Sequence, residues 1–215
     1  MTTRTVSRMI VLLAMIIAGC ATQRASKAPQ VVKVVTVAEL LPTLSPALRR
    51  LLDHSSEART VLSRALAQTS GARQLRVRYF YRGDSKEPWS DYFHYGPNVL
   101  YVGLAMSQTD WDEYVALVFE LENSLNSDQS HELWASALRR ELSASDYASE
   151  LLKLEYAALC RANARLESVS AVEPQLADSQ RYHEMIKGTQ SYNEFVEKSA
   201  IAHDNYAARV SATHR

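Results

Sequence analysis

The hydrophobic pattern changes in mid-chain from alternation to a helical period, and this change limits the fold more than any other feature. Residues 74–82 alternate apolar or aromatic side chains with arginines, as expected of a strand with one buried face. Residues 91–95 are predicted to form a short second strand. Residues 99–106 are apolar on both faces and are predicted to form a central strand. Helical spacing begins at Asp110, so the sequence predicts three strands in series and then a helix.

Helices are predicted on both sides of these strands. The first covers residues 44–68 and begins with Ser45 as its cap. A second begins at Asp110 and continues to about residue 126, with Glu113 completing a capping box. Later helices are predicted at residues 131–140, 144–166, 174–188 and 190–212. The predicted class is therefore α+β, mostly helical, with a small, mainly antiparallel three-stranded sheet.

The first twenty residues have the composition of an export signal. Residues 1–8 contain Arg4 and Arg8 and no acidic residue. The apolar run that follows is roughly half of the ~20 residues that a membrane-spanning helix needs. Such a run is typical of the apolar core of a signal peptide.

The apolar run ends in Ile17-Ala18-Gly19-Cys20, which resembles the lipobox of bacterial lipoproteins. This resemblance implies that Cys20 becomes the first mature residue and carries acyl chains such as palmitate. Each buried methylene contributes ~0.8 kcal/mol, so several chains anchor a protein firmly to a lipid bilayer. Ala21, in place of aspartate, implies the outer membrane in Gram-negative lipoproteins. The alternative is an ordinary signal peptide followed by a chance cysteine.

The expected organisation has three parts. Residues 1–19 are predicted to be the lipoprotein signal peptide. Residues 20–43 are predicted to be a lipidated N-terminus and tether, with an edge strand or extended arm in the β-branched residues 31–37. Residues 44–215 are predicted to form a single α+β domain.

Composition excludes several classes of function. Lysine and arginine together number 24, as do aspartate and glutamate, and removing the leader leaves a small acidic excess. We therefore expect no nucleic-acid partner. Cys160 is the only other cysteine, so no intramolecular disulfide can form once Cys20 is lipidated; Cys160 is predicted to be a buried helix residue. There is no G-x-S-x-G motif and no glycine-rich phosphate loop.

Three polar residues interrupt apolar helical runs and are the candidate site residues. Glu120 and Asn123 lie in the stretch ALVFELENSLN, which covers residues 116–126. Glu155 lies in LLKLEYAAL, and its helical neighbours three and four residues away are all apolar. A carboxylate in such a stripe is expected to be buried, and burial costs free energy unless the group is paired.

These two stretches resemble zincin metallopeptidases, and also bacterial metallopeptidase-like domains with variants of F-E-L-x-N. The resemblance covers roughly residues 72–165. It implies that Glu120 matches the general-base glutamate and that Glu155 matches a third-ligand glutamate. Phe119 and Asn123 stand where the two zinc histidines would be, yet phenylalanine cannot bind zinc and asparagine binds it poorly. We therefore expect no metal and no cofactor, because little remains to activate a water molecule.

The remaining histidines do not restore the motif. His131 and His183 each precede a glutamate, but neither has a second histidine four residues later. His94 lies on the predicted strand 91–95, before the helix that begins at Asp110, and an unusual metal site could use it as a ligand.

The sequence therefore predicts a lipid-anchored, periplasm-facing protein, non-catalytic, with a zincin-like domain in a binding or envelope-structural role. Glu120, Asn123 and Glu155 either form a polar network that fixes helix packing or line a cleft for a peptide or carboxylate. The alternative is a metallopeptidase-like hydrolase with an altered ligand set around Glu120 and Glu155. A third hypothesis is that residues 174–212 dock a periplasmic protein or peptide. This hypothesis requires an exposed apolar stripe, made of Tyr192, Phe195, Val196 and Ile201.

Overall fold

The computed structural model describes residues 36–69, 74–80, 92–95, 99–105 and 109–214. Within these ranges the regular elements are, in order, α1 (Val37–Leu40), α2 (Pro46–His54), α3 (Ser56–Thr69), β1 (Gln74–Phe80), β2 (Tyr92–Tyr95), β3 (Val99–Ala105), α4 (Asp110–Ser124), α5 (Ser127–Leu138), α6 (Ala144–Ser170), α7 (Tyr192–Lys198) and α8 (Ala200–Thr213). Short 3₁₀ segments cover Leu41–Thr43 and Pro174–Asp178, and a π-helical segment covers Tyr182–Lys187. The mostly helical α+β class is confirmed.

The sheet is mixed rather than mainly antiparallel, and this part of the prediction is wrong. Its strand order is β1-β3-β2, with β1 parallel to β3 over seven residue pairs and β2 antiparallel to β3 over four. The central position of β3 is confirmed. Val102 and Leu104 are fully buried, so an edge position would expose the most apolar strand to water. Placing β3 between the other two strands requires β1 to pair with β3 and not with β2.

Helix α4 lies at the centre of the helical part. Its residues from Asp112 to Ser124 are buried, with the exception of Phe119. A helix that is buried on all sides must be covered by several neighbours. Strand β3 and helices α2, α3 and α6 all pack against it, and α6 also packs against α8. Leu117 and Leu121 are fully buried, and each contributes about 2 kcal/mol of burial free energy.

Side-chain caps explain where the helices begin. Ser45 Oγ accepts a hydrogen bond from the N–H of Leu48 at 3.0 Å, which confirms the predicted cap. The predicted helix 44–68 is two helices, because Ser55 has an extended backbone and accepts a hydrogen bond from the N–H of Ala58 at 3.1 Å. Ser143 caps α6 by accepting a hydrogen bond from the N–H of Asp146 at 3.1 Å.

The capping box predicted for α4 is wrong. Thr109, not Asp110, caps the helix, accepting a hydrogen bond from the N–H of Asp112 at 3.0 Å. Glu113 is instead held by Ser45 Oγ, which donates to its carboxylate at 2.6 Å. Ser45 is 68 residues away in sequence, so the competing partner was invisible to local reasoning.

Several predictions about the ends of the chain fall outside the described residues. They include the leader, Cys20 and residues 31–35 of the predicted edge strand. Val37 does not belong to a strand, since it opens α1 and is buried in the main core together with Leu40. In the part of the chain that the structure describes, no helix has the length and apolar character to cross a membrane.

Candidate functional site

Helices α4 and α6 pack side by side and bring the two predicted segments together. Glu120 is 3% exposed and Asn123 is 8% exposed on α4, while Glu155 on α6 is half-buried. The side chain of Phe119 is also half-buried and packs against the main core. All three candidate site residues therefore lie largely inside the protein.

Glu155 is held by the last helix. Tyr206 Oη, on α8, donates a hydrogen bond to Glu155 Oε1 at 2.6 Å. Burial raises the pKa of Glu155 to about 7, and the Tyr206 hydroxyl and the Arg209 guanidinium offset part of this effect. The guanidinium of Arg209 lies 5.7 Å from the centre of the Tyr206 ring. The carboxyl group can therefore exchange a proton near neutral pH.

Tyr206 also relates Glu155 to Glu120. Burial raises the pKa of the Tyr206 hydroxyl, and the negative charge of Glu155 and, to a smaller extent, that of Glu120 raise it further. Both carboxylates thus act on one phenol. Tyr206, which the sequence did not single out, therefore binds Glu155 directly and feels the charge of Glu120. Asn123 lies one helical turn after Glu120, and its carbonyl accepts a hydrogen bond from the N–H of Asn126 at 3.0 Å.

Two surface grooves, of about 300 Å³ and 290 Å³, are lined by other side chains and touch none of the three candidate residues. The contact of Glu155 with Tyr206 is an internal polar contact between α6 and α8.

Glu122 is the most strongly engaged carboxylate of α4, and the sequence analysis did not place it in the site. Its side chain is fully buried and accepts hydrogen bonds from Arg161 Nε at 3.0 Å and from Arg165 Nε. Arg161 Nη2 also donates to the backbone carbonyl of Glu122 at 2.8 Å and to Asn126 Oδ1 at 3.0 Å. Asn126 Nδ2 in turn donates to the carbonyl of Leu154 at 2.6 Å. We call Glu122, Arg161 and Arg165 the charge cluster.

A sequence signal for the charge cluster existed. Arg161 and Arg165 are four residues apart on α6 and therefore lie on one face of that helix. Their two positive charges complement the negative charge of a carboxylate that lies inside an apolar run on another helix. A buried carboxylate with two guanidinium partners is fully paired, which is the condition under which a charge is tolerated inside a protein.

The start of α4 holds two more buried carboxylates. Asp112 Oδ1 accepts hydrogen bonds from Ser179 Oγ at 2.5 Å and from the N–H of Arg181 at 3.0 Å. Glu113 is held by Ser45, and burial raises the pKa of its carboxyl group. The Tyr79 hydroxyl completes this contact by accepting from the N–H of Ser45 at 2.9 Å. Both acids tie α4 to neighbouring segments of the chain.

The other metal and cysteine predictions can be placed in part. His131 and His183 are exposed, and the side chain of His94 lies outside the described part of the chain. Across residues 36–69, 109–214 and the three strands, no three histidine, cysteine or acidic side chains are grouped so that they could hold a metal ion. Cys160 is exposed, so its predicted burial is wrong.

The predicted apolar stripe of the C-terminal region is interrupted. Phe195 is buried at 9% exposure and packs in the main core, whereas Ile201 is 61% exposed. Tyr192 and Val196 are half-buried and line the larger groove. A continuous exposed stripe is therefore not formed by these four residues.

The chain matches no known protein-family model, no curated protein and no solved structure.

Proposed function

We propose that the protein is a lipoprotein of the outer membrane, anchored through acyl chains on Cys20 and facing the periplasm. Its α+β domain is zincin-like and non-catalytic, and serves in binding or in the structure of the envelope. The observation that carries the non-catalytic part is the engagement of the α4 carboxylates in internal contacts, above all the charge cluster around Glu122.

The contacts of Glu120 and Glu155 support this proposal. A zinc peptidase needs three good protein ligands and an open position for water. Here Glu120 is 3% exposed, and Glu155 accepts the hydrogen bond of Tyr206. Phe119 and Asn123 occupy the positions that the histidines of such a site would take. In this proposal the polar residues hold helices together and do not bind a metal.

One observation favours the alternative, a hydrolase with an altered ligand set. Burial raises the pKa of Glu155 to about 7, and catalytic acids and bases are commonly tuned to this range. Zinc content separates the two proposals. Chelator-treated protein is incubated with excess zinc, dialysed against zinc-free buffer and analysed by mass spectrometry of the metal. It is expected to hold far less than one zinc per chain. Stoichiometric zinc that is lost in Glu155→Ala would support the hydrolase instead.

The anchor is tested separately. The full chain is expressed in a Gram-negative host, and the mature N-terminus is analysed by mass spectrometry. Acyl chains on Cys20 and recovery in the outer-membrane fraction are expected, and Cys20→Ala is expected to remain unprocessed. A mature chain that begins at another residue would contradict the proposal.

A further inference from the structure

The groove of about 300 Å³ lies where α6, α7 and α8 meet, and it touches none of Glu120, Asn123 and Glu155. Six of its lining residues matter here: Ser149 and Leu152 from α6, Tyr192 and Val196 from α7, and His203 and Asp204 from α8. Leu152 and Val196 give it an apolar wall, while the other four supply polar groups. An apolar groove with a few convergent polar groups is the usual form of a small-molecule site.

Three of these polar side chains stand in a row. Ser149 Oγ lies 3.4 Å from His203 Nε2, and His203 Nδ1 lies 3.6 Å from Asp204 Oδ1. A hydroxyl within hydrogen-bond reach of an imidazole, with a carboxylate on the far side of the ring, is the signature of an activated nucleophile. Such contacts are often long before substrate binds. The side chain of His203 is 26% exposed, so a ligand in the groove can reach it.

A hydroxyl donor is also in place. Tyr192 Oη donates to the backbone carbonyl of Ser149 at 3.4 Å, which is a long hydrogen bond. When a substrate oxygen beside Ser149 becomes negatively charged, the Tyr192 hydroxyl can donate to it instead, and only a weak hydrogen bond to the Ser149 carbonyl is lost. Tyrosine hydroxyls serve as oxyanion donors in acyl-transfer sites.

We propose that Ser149 is a nucleophile activated by His203, and that the groove accepts small esters or phosphonates with a short apolar chain. Asp204 is a positioning residue that orients the imidazole, and Tyr192 stabilises the developing oxyanion. This site uses residues separate from Glu120 and Glu155. It does not depend on the proposed function, whose non-catalytic part concerns Glu120, Asn123 and Glu155 alone.

Acyl transfer to Ser149 is an ordinary substitution at the carbonyl carbon of the ester. Ser149 Oγ forms a bond to the carbonyl carbon of an ester while its proton passes to His203 Nε2. The bond to the alcohol oxygen breaks, and the departing alcohol takes that proton. Water then releases the acid by the reverse use of His203. With an alkyl fluorophosphonate, the oxygen–phosphorus bond forms, the phosphorus–fluorine bond breaks and the product on Ser149 is stable.

The test uses a fluorophosphonate with an alkyl chain on the purified full chain. Intact-mass measurement gives the rate of labelling, and peptide mapping gives the modified residue. We expect one label per chain on Ser149, none in Ser149→Ala, and at least about 100-fold slower labelling in His203→Gln, because a general base contributes that much or more. Ser145→Ala is the matched control, since Ser145 is an exposed serine one turn earlier on α6, and it is expected to label normally.

The positioning role of Asp204 has its own readout. Its side chain is 87% exposed, so Asp204→Asn is expected to slow labelling at most about fivefold, because exposed ion pairs are weak. Asp204→Glu, which keeps a carboxylate beside the ring, is expected to label at nearly the wild-type rate. Three outcomes would overturn the proposal: no label on the native protein, a label elsewhere than Ser149, or equal rates in wild type and His203→Gln. Circular dichroism of each variant separates loss of labelling from loss of folding.

Discussion

The helix pair α4–α6 buries two carboxylates in opposite ways. Glu122 is fully paired, with two guanidinium groups on α6 directed at its two oxygens. Glu155 has the phenol of Tyr206 as its hydrogen-bond donor, and its pKa rises to about 7. Glu122 is thus paired with opposite charge. Burial favours the neutral form of Glu155 more than the Tyr206 hydrogen bond favours its charged form. The partners of a buried carboxylate, and not its burial alone, therefore decide whether it can take part in chemistry.

Removing the carboxylate of the charge cluster is expected to have the largest effect. Glu122→Ala leaves two arginines facing each other without their partner, and Arg165 is only 17% exposed. Removing one partner of a buried ion pair lowers the free energy of unfolding by about 3–5 kcal/mol. Because Arg161 is partly exposed, we expect a loss near the lower end of this range. Urea unfolding followed by circular dichroism measures it. The control is Glu150→Ala, which removes an exposed ion pair with Lys153 on α6, the helix that carries the two arginines. It should leave the unfolding midpoint nearly unchanged.

The second prediction concerns pH and Glu155. Its folded pKa, about 7, lies above the ordinary value of 4.5, so the folded state holds the proton more tightly than the unfolded chain. This contribution to stability is full below the ordinary pKa and is lost as pH rises through about 7, by about 1–3 kcal/mol. Unfolding free energies between pH 4 and 8 check it.

The Glu155→Gln variant tests whether Glu155 is the group that causes this pH dependence. The amide cannot ionise, so this variant is expected to lose most of the decline between pH 4.5 and 7 and to be more stable than the wild type at pH 8. Glu113, whose pKa burial also raises, contributes a decline of the same sign in both proteins. An unchanged slope in Glu155→Gln would mean that Glu155 is not the group that titrates.

The smallest predicted effect belongs to the phenol that joins α8 to α6. Tyr206→Phe keeps the ring and removes the hydrogen bond to Glu155, at a cost of about 1 kcal/mol. Because that bond lowers the pKa of Glu155, its loss should move the pH midpoint upward. Nuclear magnetic resonance titration of the Glu155 carboxyl carbon measures the shift. A midpoint that moves downward would contradict the assigned contact.

Local features were predictable from the sequence, and features that depend on distant partners were not. The caps Ser45 and Ser143 and the central strand β3 follow from residue type and hydrophobic pattern, which act over a few positions. The parallel pairing of β1 with β3 depends on which strand must be shielded from water on both edges, and this depends on all three strands together.

The site divides in the same way. The enclosure of Glu155 was predicted from its apolar neighbours on α6. Its partner Tyr206 is 51 residues away, and the arginines of the charge cluster are 39 and 43 residues from Glu122. Helical spacing shows which face a side chain lies on, but it does not show which helix covers that face.

Thermal unfolding with and without zinc tests the central claim that these acids hold helices and not a metal. A ligand that binds only the folded state raises the melting temperature, and the rise grows with the logarithm of its concentration above Kd. The account predicts the same melting temperature for chelator-treated protein in excess zinc and in chelator. A zinc-dependent rise that disappears in both Glu120→Ala and Glu155→Ala would contradict it.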